Sequence, residues 1–297
     1  MKHALIIIGL VIILATIVLL IPRKANDATS TPVAATIFPI YDITLNVVGD
    51  TMDVGLILPA GASPHTYDPT PSTLRDLAGA EVVYAIGYGF DDWINTVIES
   101  VGAEKVLVDD GITLLDQQSS HSHSDSHGET ASDPHYWLTV ENAKLITQTI
   151  AGDLSNRFPE HADTFTNNAS AYLSQLNQLD QNITNALAEV NNQNMVTLHD
   201  AWFYFAEEYG LEIVGTFEPT AGREPTPQYL VELTHAIEEA GTTVLYSEPQ
   251  LATDSIESFL TDNNLSIAVL DPLGGVDDRQ TYIDLMLYNA QTISQNQ

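Results

Sequence analysis

The stretch PEHADTFTNNASAYLSQLNQLDQNITNALAEV, residues 159–190, decides how this chain is organised. Apolar residues recur along it in steps of three and four, which is the spacing of an amphipathic α-helix with one buried face. A helix of this length can bridge two domains. Short β-type runs alternate with helical segments on both sides of it, so the same pattern occurs twice.

Four candidate strands precede this helix and four follow it. Near-continuous apolar strands separated by helices are typical of parallel sheets that are covered on both faces. The sequence therefore predicts an α/β fold of two lobes, each with a mainly parallel sheet flanked by helices, joined by one long helix. The candidate strands are AATIF (34–38), DVGLIL (53–58), EVVYAI (81–86), KVLVD (105–109), MVTL (195–198), LEIVGTF (211–217), TTVLYS (242–247) and SIAVL (266–270).

The N-terminal part is predicted to be a membrane segment followed by a tether. Residues 4–21 are apolar or small and carry no charge, which is just enough to span a bilayer. We expect an uncleaved anchor, with a cleaved signal as the alternative, and in both cases the remainder lies outside the cytoplasm. The predicted division is 1–24 anchor or signal, 25–32 tether, 33–158 N-terminal lobe with a polar insertion at 117–134, 159–191 linking helix and 192–297 C-terminal lobe.

Composition narrows the classes of function. The 297 residues include no cysteine, which excludes disulfides, thiolate metal sites, cysteine nucleophiles and a lipid-modified cysteine within this sequence. Forty acidic residues against nine basic ones give a formal net charge of −31, so nucleic acid and anionic membrane surfaces are poor partners. We interpret most of these acidic residues as surface residues that keep the protein soluble, although their charge also attracts cations.

Four side chains that can bind a metal follow predicted strands. His65 follows DVGLIL in the loop GASPHTYDPTPS, and His135 ends the long loop after KVLVD. His199 follows MVTL, and Asp271 follows SIAVL. Ligands of open α/β sheets bind beyond the carboxyl ends of the strands, so all four residues can meet if the lobes face each other. Three imidazoles and one carboxylate suit a tetrahedral zinc site.

The sequence resembles the metal-binding lipoproteins and periplasmic receptors of zinc and manganese ABC transporters. Six segments match that family in sequence order, over roughly residues 33–295. They are GASPHTYDPTPS (61–72), DPHYWL (133–138), LHDAWFYFAEEYGLEIVG (198–215), EPTAGREPTPQYL (218–230), YSEPQ (246–250) and VLDPLGG (269–275).

The resemblance implies two α/β lobes joined by a rigid helix, with the metal in the cleft between them. It assigns His65, His135, His199 and Asp271 as the ligands. Histidine at the third position is typical of the zinc receptors and glutamate of the manganese receptors. The implied function is an extracytoplasmic, monomeric zinc receptor that delivers Zn²⁺ to an ABC permease, and not an enzyme. The short histidine-rich loop would collect metal only weakly, through His121, His123 and His127.

Other interpretations stay open at this stage. A manganese receptor is the same class of protein with a different metal. A zinc hydrolase would keep an open coordination position for water, and a zinc buffer or adhesin would need no permease. Three glutamates near strand ends, Glu218, Glu224 and Glu248, are either partners of a ligand imidazole or surface carboxylates.

Overall fold

The computed structural model describes residues 31–117, 131–218, 225–251, 253 and 256–297. Residues 31–297 belong to one compact unit. Several predictions lie wholly or mostly outside the described residues: the anchor at 4–21, the tether at 25–32, the insertion at 117–134 with its histidines (His121, His123 and His127), and the role of Glu224. In the part of the chain that is described, no helix is long and apolar enough to cross a membrane.

The N-terminal lobe contains a four-stranded parallel sheet in the order β2-β1-β3-β4. The central strands are fully buried, which explains why they read as continuous apolar runs in the sequence. The elements in chain order are β1 (Val33–Ala35), α1 (Phe38–Val48), β2 (Val54–Leu56), α2 (Pro71–Asp76), β3 (Val82–Ala85), α3 (Asn95–Val101), β4 (Glu104–Leu107) and α4 (Val140–Arg157).

A single long helix, α5 (Ala162–Leu187), follows this lobe. Its buried face packs against α1 and α4, and also against the last helix of the chain, α9 (Tyr282–Asn296). The predicted helix starts three residues earlier, because Pro159 opens a short 3-10 turn, Pro159–His161, before the α-helix begins. The helix therefore contacts elements of both halves, as its length suggests.

The C-terminal lobe repeats the arrangement with a second parallel sheet, in the order β6-β5-β7-β8. The predicted fold class is confirmed, and each of the eight predicted strands has its counterpart in the two sheets. The exact lobe boundaries stay a prediction. The elements are β5 (Asn194–His199), α6 (Phe203–Tyr209), β6 (Glu212–Glu218), α7 (Pro227–Ala240), β7 (Val244–Ser247), α8 (Glu257–Asp262), β8 (Ser266–Val269) and α9.

Buried hydrogen bonds join the two lobes. The indole Nε1 of Trp137 donates to the carbonyl oxygen of Pro272 at 2.8 Å. The hydroxyl of Tyr282 donates to the carbonyl oxygens of Trp137 and Thr139, at 2.8 and 3.0 Å. The backbone N–H of Tyr282 donates to Asp42 Oδ2 at 2.9 Å. One hydrophobic cluster also runs through both lobes, so the residues around the pocket between them are backed by a close-packed core.

The segment GYGFDD (87–92) forms a structural turn after β3. Gly87, Tyr88 and Gly89 all have positive φ. The buried carboxylate of Asp91 accepts hydrogen bonds from the backbone N–H groups of Ile86 and Gly87, at 2.7 and 2.9 Å. The turn delivers the side chain of Phe90 to the pocket between the lobes. A short 3-10 turn, Asp92–Ile94, follows, and α3 begins at Asn95.

Candidate metal centre

Three histidines from both lobes meet between the sheets. Each of His65, His135 and His199 offers a ring nitrogen that lies within 4.8 Å of the other two. The ring centroids are 5.9 Å apart for His65 and His135, 5.0 Å for His65 and His199, and 5.1 Å for His135 and His199. The structure therefore brings together three of the four residues that the sequence singles out as ligands.

His135 is held with one nitrogen free for a ligand. It precedes a 3-10 turn, Tyr136–Leu138, and is only 4% exposed. Its Nδ1 lies 2.8 Å from Asp133 Oδ1, and the same oxygen accepts its backbone N–H at 2.9 Å. Among the described residues, Nε2 of His135 is buried and has no hydrogen-bond partner. A buried polar atom without a partner is costly, so Nε2 fits a position that binds a cation.

His199 ends β5 and lies between two carboxylates. Its Nδ1 is 3.2 Å from Glu248 Oε1, and its Nε2 is 3.2 Å from Asp200 Oδ1. Burial opposes protonation of the ring, but the negative charge of Glu248, its hydrogen bond and the charges of Asp200 and Asp133 outweigh burial and raise the pKa of His199 to about 9. A metal that binds Nε2 must therefore displace a proton at neutral pH.

His65 is the most exposed of the three rings. Desolvation and the nearby rings of His199 and His135 lower its pKa to about 3, so it is neutral and able to bind a metal at physiological pH. Phe90 packs edge-on against both His65 and His135, with centroid distances of 5.4 and 5.6 Å. Trp137 lies 5.4 Å from the His135 ring. Aromatic walls thus exclude water on one side of the cluster.

The cavity between the rings is small. Its volume is about 10 Å³, which is room for a single water-sized particle. A monatomic ion fits this space. Apart from the three histidines, the residues around it are Ser63, Pro64, Phe90, Trp137, Glu248, Gln250, Leu251, Pro272 and Leu273.

Asp271 does not belong to the group of three. It is completely buried at the end of β8, and its Oδ2 accepts a hydrogen bond from Arg279 Nε at 2.8 Å. Its Oδ1 accepts from the side chain of Gln250 and from the backbone N–H groups of Leu273 and Gly274. The two residues after it, Pro272 and Leu273, line the cavity. The predicted ligand role of Asp271 stays a prediction.

Sequence reasoning identified the histidines but only part of their support. Glu248 is 5% exposed and accepts from Trp202 Nε1 at 3.2 Å in addition to its contact with His199. It is therefore a partner of an imidazole, the first of the two alternatives considered for it. Glu218 ends β6 and is partly buried. Sequence reasoning missed Asp133, although it stands two residues before His135 in the quoted segment DPHYWL.

The fold and the pocket define a class: a two-lobed α/β binding protein with an ion-sized site between its lobes. The family model described as "ZnuA: Zinc-uptake complex component A periplasmic" matches residues 33–296. The chain belongs to this family. The description names the family after a periplasmic component of a zinc-uptake complex.

Individual relatives and a solved structure agree with this. The chain is 26% identical over 283 residues to the zinc-binding protein AdcA of Streptococcus pyogenes serotype M6, covering 88% of this chain and 55% of AdcA. It is 28% identical over 258 residues to the manganese-binding lipoprotein MntA of Halalkalibacterium halodurans, covering 84% and 83%. A crystal structure of ZnuA has a TM-score of 0.77 and 27% identity, covering 89% of this chain and 98% of that one. The chain thus spans about half the length of the AdcA relatives it matches.

Proposed function

We propose that this chain is an extracytoplasmic zinc receptor that delivers Zn²⁺ to an ABC permease. One observation carries the proposal: three imidazole nitrogens lie within 4.8 Å of one another around a cavity the size of an ion. Zinc takes four ligands in tetrahedral geometry, and histidine nitrogens at about 2.0–2.1 Å are among its preferred ones. The zinc-binding name of AdcA and the family description support the same cargo.

The donor atoms favour zinc over manganese. Nitrogen ligands bind zinc more strongly than manganese in the usual affinity order of divalent metals. His199 supplies such a nitrogen at the third position, where the manganese receptors resembled by this sequence have glutamate. A manganese receptor is the second candidate function, and the match to MntA over 83% of that protein favours it. Asp271, the predicted fourth ligand, would add an oxygen that suits manganese better.

A zinc hydrolase fits the pocket less well. Three histidines leave a coordination position open, as catalytic zinc requires. The space between the rings is only about 10 Å³, which suits a monatomic ion as the bound species better than a larger substrate. The proposed protein is therefore a receptor and not an enzyme, and it acts as a monomer. Residues 4–21 would hold it at the membrane, and the loop histidines (His121, His123 and His127) would collect metal weakly.

A metal titration tests this proposal. The purified chain, treated with a chelator and then titrated with Zn²⁺ in competition with a coloured chelator, is expected to bind one tight equivalent. H135A removes the nitrogen that has no other partner and is expected to weaken this site at least about 100-fold, a loss of about 2.7 kcal/mol. H235A is the matched control, because His235 is exposed on α7. Equal zinc affinity of H135A and H235A would contradict the proposal.

A further inference from the structure

The carboxylate of Asp271 is held by an ion pair just behind the wall of the metal pocket. Its Oδ2 lies 2.8 Å from Arg279 Nε, and both side chains are buried. Its Oδ1 accepts from Gln250 Nε2 at 2.9 Å, and Gln250 itself lines the cavity. Two backbone N–H groups, those of Leu273 and Gly274, donate to the same oxygen at 3.0 Å. Both carboxylate oxygens therefore have partners other than a metal.

Arg279 is itself fixed by further contacts. Its Nη2 lies 3.3 Å from Asp277 Oδ2, and its Nη1 lies 3.1 Å from Asp278 Oδ1. Its guanidinium carbon lies 4.4 Å from the ring centroid of Tyr288, as in a cation–π contact. The chain has only nine basic residues against forty acidic ones, and one of the nine is buried beside this carboxylate. Arg279 contacts Asp271 through Nε, and its two terminal nitrogens contact Asp278 and Asp277, so the guanidinium is fixed beside the Asp271 carboxylate.

We propose that Arg279 is a specificity-determining residue, which keeps the Asp271 carboxylate away from a cation bound by the three histidines. The inference rests on the proposed function, because it assumes that the histidines bind a metal. Arg279 touches Asp271 and acts on the metal through it. With the ion pair in place, the metal meets three nitrogens and one remaining position that a water molecule can fill.

The ion pair controls both the charge of the ligands that meet the cation and whether a hard oxygen ligand is among them. A released Asp271 carboxylate brings one negative charge and a hard oxygen to the cation. Oxygen ligands suit manganese, whereas imidazole suits zinc. Releasing Asp271 is therefore expected to strengthen Mn²⁺ binding more than Zn²⁺ binding. Arg279 in this way raises the preference of the pocket for zinc, and it does so without touching the metal.

The experiment compares four chains: wild type, R279Q, D271N and the double variant D271N/R279Q. Zn²⁺ and Mn²⁺ affinities are measured by chelator competition. R279Q is expected to narrow the zinc-to-manganese affinity ratio by about tenfold, mainly through tighter Mn²⁺ binding. In the D271N background the same substitution is expected to change the ratio by less than about twofold, because no carboxylate remains to be released. An unchanged ratio in R279Q, or an equal change in both backgrounds, would overturn the proposal.

Thermal unfolding and a second variant, R279K, distinguish a misfolded protein from a wrong proposal. Removing Arg279 leaves a buried charge without its partner, so thermal unfolding must show that R279Q is folded. If it is not folded, R279K replaces it: the charge is retained but the planar fork is lost, and a smaller shift of the ratio in the same direction is expected. No shift in a folded R279K would then overturn the proposal. If wild type binds neither metal tightly, the proposed function fails; if wild type binds zinc and the ratio does not move, only the role of Arg279 fails.

Discussion

Replacing Glu248 by glutamine is expected to change zinc binding in opposite directions through two effects. Glu248 contacts Nδ1 of His199 at 3.2 Å, so a metal would take Nε2, which lies 3.2 Å from Asp200 Oδ1. Loss of such a partner of a ligand imidazole costs about 10–100-fold in metal affinity. The same carboxylate is the largest favourable contribution to the raised pKa of His199, about 9, so in wild type a proton competes with the metal. At pH 7.5 this competition costs about 30-fold, because each pKa unit is a factor of ten.

The two effects nearly cancel at neutral pH and separate at high pH. E248Q is expected to bind zinc within about threefold of wild type at pH 7.5, where relief from the proton offsets the lost support. At pH 9.5 about three-quarters of the wild-type rings have lost the proton and competition is nearly gone, so E248Q is expected to bind about 10–100-fold more weakly. Chelator competition at both pH values measures the affinities, and a competing chelator also keeps zinc in solution.

Calorimetry in buffers of different ionisation enthalpy counts the protons released. Wild type is expected to release about one proton per zinc from His199 at pH 7.5, and E248Q clearly fewer. E239Q is the control, because Glu239 is an exposed acid of the same lobe. If E248Q lost the same factor at both pH values, with unchanged proton release, the carboxylate would not tune His199 and the reasoning would be refuted.

Three further predictions concern His199 and the histidine-rich segment. Without metal, the raised pKa of His199 stabilises the fold fully below pH 6.5, and this stabilisation is lost as the pH rises through 9. Between these two pH ranges the free energy of unfolding of wild type, measured with urea in EDTA, should therefore fall by about 3 kcal/mol more than that of E248Q. H199E should narrow the zinc-to-manganese affinity ratio at least about tenfold, mostly by weakening zinc, and an unchanged ratio in calorimetric titrations of both metals would mean that His199 is not a ligand. Deleting residues 119–130 should leave tight zinc affinity within about threefold, because the three histidines of the proposed site all lie outside that segment; a large loss would make His121, His123 or His127 a primary ligand.

The fold was predictable because its signals are repeated and local. Each strand is a short apolar run, and α5 shows its buried face in steps of three and four residues. Since the strands are parallel, their carboxyl ends lie at one edge of each sheet, so placing His199 after a strand was enough to bring it near the cleft. Helix starts were less predictable, as the start of α5 at Ala162 shows, because Pro159 opens a 3-10 turn before the α-helix begins.

The surroundings of the histidines could not be predicted in the same way. Glu248 lies 49 residues from His199, and its proximity follows from the pairing of β7 with β5. Nothing in the local sequence distinguishes such a buried partner from a surface acid. Arg279 presents the same difficulty, since its segment VDDRQ reads as an exposed polar turn while the side chain is buried against Asp271. Tertiary contacts decide these roles, over 49 residues for Glu248 and over eight for Arg279, and composition does not record them.

X-ray absorption at the zinc edge tests directly whether the three histidines hold the metal. The sample is the chain that lacks residues 119–130, loaded with one equivalent of Zn²⁺, so that the loop histidines cannot contribute. We predict three imidazole ligands with Zn–N distances of about 2.0–2.1 Å. The H135A variant of the same chain should show one imidazole fewer. A spectrum with fewer than three imidazoles, or one that H135A leaves unchanged, would contradict a zinc site built from His65, His135 and His199.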